Sequence, residues 1–329
     1  MIPLNKVSPN IPRFNEYWPI VVTSPLWKVT EARVAFKLWI YMEEKLIKEQ
    51  VGFVPRMETG VNILKLNKKI KAFKLDKEQK NFYLCFIDLK GAYDWCNWES
   101  IYKILNEKEI LNMNEIEMLK FLHDNLKVTL GGFSTSTKRG LIQGSMISPY
   151  LFNIYFENIL QKLKDETGVE IYAFADDLLF TSYNIEDIKK AIKLLEEWCK
   201  EEKMIINKSK NKSGILVIQK WNKKNRIKEK SILDIQVDDN YKYLGCIISN
   251  WGNIKQATQE IKKKSNYIAW RLAPVIWSTS LRFKLNMINT FIRPQFSMLA
   301  PLSKEVNKTE QKEIETSYRK IAKKILGLN

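Results

Sequence analysis

Histidine is all but missing from this chain: His123 is the only one among 329 residues. Cysteine is scarce too, and Cys85, Cys96, Cys199 and Cys246 are scattered without C-x-x-C spacing. One imidazole and four dispersed thiols cannot supply a Cys/His zinc cluster, so no structural zinc site is expected. Single cysteines inside apolar runs read instead as small core residues suited to a reducing compartment. No apolar run approaches the length of a membrane span, so no membrane partner is expected. The first thirty residues hold Pro3, Pro9, Pro12, Pro19 and Pro25 but no apolar signal core, which argues against export. An intracellular site is expected, and nucleus and mitochondrion are both open.

Acidic residues are the next shortage: 37 Asp+Glu face 54 Lys+Arg, a net charge of +17. Such an excess points to a polyanionic partner, and nucleic acid is the usual one. Abundant Lys and Asn also follow from A/T-rich coding, so charge alone selects no partner. With 45% apolar and 28% charged residues, the composition is that of a folded globular protein long enough for two or three packed units.

The pattern along the chain predicts an extended, Pro-punctuated arm over 1–30, ending in the strand-like Ile20-Val21-Val22. Helices are expected over 30–50, where Val34, Leu38, Tyr41 and Met42 recur at helical spacing, and over 58–75. Phe82 to Leu89 reads as a buried strand, followed by two helices within 97–127. Ser148 at the cap and Pro149 in the first turn predict a helix that stops before Gly168. Val169 to Ser182 reads as a hairpin around Asp176-Asp177, and Ile188 to Cys199 as an amphipathic helix. Short strands are expected at 204–207, 213–218 and 241–248, then helices alone over 254–273, 280–292 and 308–326. Segment 219–231 has six basic residues, one acid and Trp221, and reads either as a nucleic-acid contact or as a solvated loop.

Three aspartates stand where apolar strands should have none. Asp88 ends the run Phe82–Ile87, and Asp176 and Asp177 sit at the tip of Ala173-Phe174-Ala175 / Leu178-Leu179-Phe180. A carboxylate beside a buried strand is costly unless paired, and adjacent acids repel. A divalent cation resolves both problems. Mg²⁺ takes hard oxygen ligands, and two such ions about 4 Å apart clamp the attacking and leaving oxygens of a phosphoryl transfer. Asp-Asp is also ordinary turn chemistry, so the pair alone does not decide.

Its context adds more. Phe86-Ile87-Asp88-Leu89-Lys90-Gly91-Ala92-Tyr93-Asp94, the stretch Arg139 to Asn153 with Gln143-Gly144 and Ser148-Pro149, Phe174-Ala175-Asp176-Asp177, Asn207 to Ser213, and Tyr243-Leu244-Gly245 occur in this order. Together they resemble the catalytic motifs of reverse transcriptases of the non-long-terminal-repeat (LINE-like) retrotransposon type, with related enzymes in group II introns and mitochondrial plasmids. The resemblance covers residues 1–250 well and 251–329 with less specificity.

That resemblance implies an α+β right-hand polymerase. Fingers and an antiparallel palm sheet with helices would occupy about 1–250, and thumb-like helices about 251–329. It implies RNA-directed DNA synthesis on a primed RNA template, from a DNA or RNA primer and dNTPs, with two Mg²⁺ ions, or Mn²⁺ in their place, held by Asp88, Asp176 and Asp177. Tyr93 would be the aromatic gate against a ribose 2′-hydroxyl. Gln143, Gly144 and Lys210 would meet the nucleotide, with Lys212 the competitor for the last role. Arg139, Leu244, Gly245, Lys262 and Lys263 would meet template and primer. Lys255, Lys264 and Arg271 share the basic side of the 254–273 helix.

The match is uneven. Where the family's fingers carry an Arg before Pro-Ile, this chain has Trp18, which cannot donate a bidentate pair to phosphate. Leu4 replaces the usual Lys of an upstream element, with Lys6 and Arg13 nearby. Gln50-Val51-Gly52-Phe53 keeps the family's Q-x-G-F, with Arg56 displaced. The 329 residues themselves include no endonuclease, Cys/His knuckle, integrase or RNase H, so autonomous retrotransposition from this polypeptide alone is not expected, and a fragment, a free-standing polymerase and a domesticated relative are all open. A second expectation follows: a weakened, maturase-like RNA-binding protein or a structural subunit of a larger ribonucleoprotein.

Overall fold

The N-terminal arm pairs with itself. In the computed structural model, β1 (Ile2–Asn5) and β2 (Tyr17–Ile20) form an antiparallel ladder with Leu4 opposite Trp18. The structure describes residues 2–6, 17–130, 132–136, 138–219, 229–250, 255–276, 279–297, 299 and 308–328. Most of the basic 219–231 segment, Arg13, Ile254 and the Trp18 side chain lie outside the described residues.

The remaining elements follow in chain order. They begin with α1 (Pro25–Glu44), α2 (Thr59–Leu75), β3 (Asn81–Ile87), α3 (Ala92–Trp95), α4 (Trp98–Glu107) and α5 (Met113–Asp124). Next come β4 (Lys127–Leu130), β5 (Phe133–Ser136), α6 (Ser148–Glu166), β6 (Glu170–Phe174), β7 (Asp177–Ser182) and α7 (Ile185–Glu201). Then follow β8 (Gly214–Gln219), β9 (Ser231–Ile232), β10 (Ile235–Asp238), β11 (Asn240–Tyr243) and β12 (Cys246–Ser249). The C-terminal helices are α8 (Lys255–Ile276), α9 (Leu281–Met287), a π-helical turn at Ile288–Ile292, α10 (Arg293–Ser297) and α11 (Lys308–Leu326).

Several boundaries differ from those the pattern predicts. Helix α1 begins at Pro25 because Ser24 Oγ accepts from Trp27 N at 3.2 Å and Pro25 fits the first turn. Ser148 does not cap α6. It lies inside the first turn, while Ser145 Oγ accepts from Ile147 N at 3.3 Å. No strand forms at 204–207; that stretch makes only the isolated bridge Ile206–Leu89. The hairpin β4–β5 was not expected, since its residues are almost all exposed and leave no apolar alternation to read.

The chain divides into two compact bodies. The first comprises Met1–Glu58, Ile87–Phe180 and Glu186–Asn207, and the second Thr59–Phe86, Thr181–Ile185 and Lys208–Asn329. In the first body α6 is the central helix: Leu151, Phe152, Ile154, Phe156, Leu160 and Leu163 are wholly buried. α1 and α4 pack on it, and Trp198 of α7 meets Tyr155 and Phe156. Each fully buried Leu, Ile or Phe contributes roughly 1.5–3 kcal/mol. Glu157 is the buried charge of α6. It accepts from Tyr41 Oη (2.6 Å), Ile47 N (3.0 Å) and Lys108 Nζ (2.5 Å), so its desolvation is matched by three donors.

In the first body β6 and β7 are sheet neighbours. Within the second body the strand order is β3-β8-β10-β9. β3 and β8 are antiparallel, with Cys85 opposite Ile215. β8 and β10 are parallel, with Val237 opposite Ile215, so the sheet is mixed where an antiparallel one was expected. β10 follows β8 only after the long 219–231 excursion, which gives the chain the length to return in the same direction. Ile63, Cys246, Ile261 and Leu299 form one apolar cluster here, and Ala269, Ile276, Ile288, Ile292, Ile321 and Ile325 join the C-terminal helices in another.

Candidate active site

Asp88 follows the last residue of β3, where an apolar strand gives way to a loop. Its main-chain oxygen accepts from Asn207 N at 2.8 Å, and its carboxylate accepts from Asn207 Nδ2 at 2.9 Å. A hydrogen bond to a charged group contributes about 1.5–3 kcal/mol. With the Leu89–Ile206 bridge and the Lys90 N to Ile205 O bond (2.8 Å), Asn207 fixes where this carboxylate sits. The sequence motif at Asn207 carried no role for that residue, because the pairing joins segments more than a hundred residues apart.

The second element is the turn between β6 and β7. Ala175 has φ +54°, a left-handed conformation rare for alanine; Asp176 is half-buried, and Asp177 is exposed at the first position of β7. Asp88, Asp176 and Asp177 all belong to the first compact body.

Tyr93 lies within reach of the Asp176 charge. Gly91, at φ +62°, starts the short helix α3 and turns the chain after β3. Tyr93 then stacks on Phe152 of α6, with ring centroids 4.9 Å apart and planes 9° from parallel. Burial, and then the Asp176 charge, push its phenol above the ordinary tyrosine range, so it stays protonated at any working pH.

The Gln143-Gly144 segment is placed by protein contacts. Gln143 O accepts from Val21 N at 2.7 Å, and Gln143 Nε2 donates to Asp94 Oδ1 at 3.3 Å. A Cβ on Gly144, at φ +116°, would lie 2.2 Å from Val21 O. That glycine therefore serves a close approach of two backbones, where an approach to nucleotide was expected. Buried Glu31 of α1 holds the same loop, accepting from Ser145 Oγ (2.5 Å) and Met146 N (3.1 Å). Arg139 is turned inward, its guanidinium donating to Glu202 O at 3.1 Å. In this arrangement it anchors the loop to the end of α7.

The other candidates belong to the second body. Lys210 and Lys212 are both exposed, so the structure does not choose between them. Lys208 is engaged, donating to Leu233 O at 2.9 Å. Leu244 (φ +46°) and Gly245 (φ +83°) form the β11–β12 turn, and Leu244 packs on the Ile63–Cys246–Ile261 cluster. Lys262 is ion-paired with Glu313 of α11. Lys263 is exposed, 3.7 Å from Glu260. Around it on α8, Lys264, Tyr267, Trp270 and Arg271 are exposed as well.

Among the described residues no group of three or more His, Cys, Asp or Glu side chains is gathered closely enough to hold a metal ion. Mg²⁺ asks for less than that from protein: one or two carboxylates, with water and substrate phosphate completing the octahedron. Asp88, Asp176 and Asp177 offer hard oxygen donors that are partly or fully open to solvent. This donor set fits Mg²⁺ or Mn²⁺ and does not fit zinc.

Comparison with solved structures agrees with this architecture. The apo telomerase of Candida tropicalis superposes with a TM-score of 0.52 at 12% identity, over 91% of this chain and 55% of that one. The telomerase of the same organism in complex with a fragment of telomeric RNA gives 0.51 at 14%, over 92% and 52%. The fold is that of a right-hand polymerase. The family described as "Reverse transcriptase (RNA-dependent DNA polymerase)" matches residues 7–248. The chain belongs to that family. Its curated relatives include Pol polyproteins of type-1 retrotransposable element R2. One from Nasonia vitripennis is 26% identical over 54% of this chain and 19% of its own length, and one from Popillia japonica 27% over 50% and 25%. The sequence resemblance to the non-long-terminal-repeat branch is thus borne out, while the chain matches only about a fifth to a quarter of the length of these two relatives.

Among the described residues no helix is long and apolar enough to cross a membrane.

Proposed function

We propose that this chain extends a primer on an RNA template, adding deoxynucleotides by metal-assisted nucleotidyl transfer. The observation that carries the reading is that Asp88, fixed by Asn207, and the Asp176–Asp177 turn, shaped by left-handed Ala175, belong to one compact body inside a family match that spans both. Asp88 and Asp176 would hold Mg²⁺, with Asp177 supporting. Bound there, the ions supply a lowered pKa for the primer hydroxyl and neutralise phosphate charge. The primer 3′-hydroxyl gives up its proton to solvent, its oxygen bonds to the α-phosphorus, the bond from the α-phosphorus to the oxygen bridging to the β-phosphate breaks, and pyrophosphate leaves. Lys210 or Lys212 is the proton donor to that leaving group.

Tyr93 acts as the wall under the incoming sugar. Its stack on Phe152 fixes the ring, and its un-ionised phenol adds no repulsion toward the triphosphate. Asn207 keeps the Asp88 carboxylate aimed. On α8, Lys263, Lys264 and Arg271 around exposed Tyr267 and Trp270 combine phosphate-binding charge with surfaces for base stacking. Lys262 contributes less, because Glu313 already offsets its charge.

The test is primer extension on poly(rA)/oligo(dT) with Mg²⁺. Asp176→Asn should abolish extension and leave RNA binding largely intact. Extension unchanged in that variant would refute the assignment. A wild-type chain that binds RNA but shows no Mg²⁺-dependent dNTP binding would favour the scaffold reading.

A further inference from the structure

We infer that Gln50 is a positioning residue that holds the Ala175-Asp176-Asp177 turn in its metal-binding shape, an inference that rests on the polymerase reading above. Residues 49–53 are not a regular strand, yet they run alongside β6. Ala173 N donates to Glu49 O (3.0 Å), Val51 N donates to Ala173 O (3.0 Å), and Gln50 bridges Ala173 in parallel register. From there the Gln50 side chain, 2% exposed, reaches past the end of β6 to the next turn. Its Oε1 accepts from Ala175 N at 2.8 Å, and its Nε2 donates to Ala175 O at 3.1 Å. One primary amide thus closes both backbone groups of the residue immediately before Asp176.

That residue is where help is required. Ala175 sits at φ +54°, a conformation that costs an alanine about 1–2 kcal/mol. The Gln50 amide offsets this cost and selects the turn that presents the two carboxylates. Only a carboxamide of this length supplies both an acceptor and a donor: asparagine is a methylene shorter, and glutamate loses the donor. The clasp is itself held. Gly52 N donates to Gln50 Oε1 at 3.0 Å, and Asn153 Nδ2, wholly buried on α6, donates to Gly52 O at 2.6 Å. Gly52 must lack a Cβ, since one would lie 2.3 Å from Ala175 N. Gln50, Gly52 and Asn153 therefore form one chain of contacts from the buried face of α6 to the acidic turn.

The experiment uses the full chain and three readouts: Mn²⁺ affinity by titration, primer-extension kcat, and thermal midpoint. Gln50→Met, which keeps the volume and removes both bonds to Ala175, should weaken Mn²⁺ binding and lower kcat by about 10- to 100-fold with template–primer affinity unchanged. Gln50→Glu keeps the acceptor alone and should fall between; it carries the test if Gln50→Met fails to fold. Adding Ala175→Gly, which relieves the positive φ, should restore part of what Gln50→Met loses. If Gln50→Met folds and keeps wild-type Mn²⁺ affinity and kcat, or if Ala175→Gly restores nothing, the assignment to the turn is overturned while the polymerase reading stands. If wild type neither binds Mn²⁺ more tightly than Asp176→Asn nor extends a primer, the polymerase reading fails and takes this inference with it.

Discussion

Replacing Tyr93 separates a wall from a hydrogen-bonding group, because the two halves of the side chain do different things. The ring lies on Phe152 at 4.9 Å, nearly parallel to it, and is half-buried. Tyr93→Val removes the ring and should cost roughly 2–4 kcal/mol of stability, as other large-to-small changes in packed sites do. An apolar wall rejects a substrate that merely adds a hydroxyl by about 100-fold, or about 2.7 kcal/mol. Tyr93→Val should therefore lower the preference for dTTP over UTP by about that factor, chiefly through faster ribonucleotide addition. Tyr93→Phe keeps the wall and should keep the preference. It should also leave the pH profile unchanged, since the raised phenol pKa means no tyrosinate forms near neutrality. The assay is single-nucleotide primer extension, with kcat/KM measured for both triphosphates in all three proteins. An active Tyr93→Val with undiminished discrimination would refute the gate, and so would its loss in Tyr93→Phe.

Two further outcomes concern stability. His123, 9% exposed and packed against Trp98 with ring centroids 4.4 Å apart and planes tilted by 33°, has its pKa lowered by burial, against the weaker pull of Asp124 and Glu99. The unfolded chain then takes up a proton as pH falls through about 6.5 while the fold resists, so stability should drop below that pH by up to about 1.4 kcal/mol per unit. As the chain has a single histidine, urea midpoints at pH 7.5, 6.5 and 5.5 isolate the effect, and His123→Phe should flatten it. Gly144→Ala puts a Cβ 2.2 Å from Val21 O at φ +116° and should destabilise by roughly 2–4 kcal/mol, read as a lower urea midpoint; an unchanged midpoint would show that the loop yields freely.

Much of the site was legible in the sequence because its cost was legible. Asp88 and Asp176 interrupt apolar strands, and a carboxylate there needs a reason. Strands β3, β6, β7 and β8 and helices α2, α6 and α7 followed from spacing alone, since each has an apolar side to bury. The hairpin β4–β5 buries no side, and β9–β10 is too short, so neither left a periodic trace. Arg139 looked like a phosphate ligand because an arginine near a candidate site usually is one. The fold spends it on Glu202 O.

What the sequence by itself determined is the family, the order of the motifs and the three carboxylates, because residue types and apolar periods are local properties of the chain. The tertiary structure alone decided what holds those carboxylates. Gln50 meets Ala175 across 125 residues and Asn207 meets Asp88 across 119. No local pattern encodes such pairs, since a buried amide finds its partner only after distant backbones have been brought together and water excluded from between them.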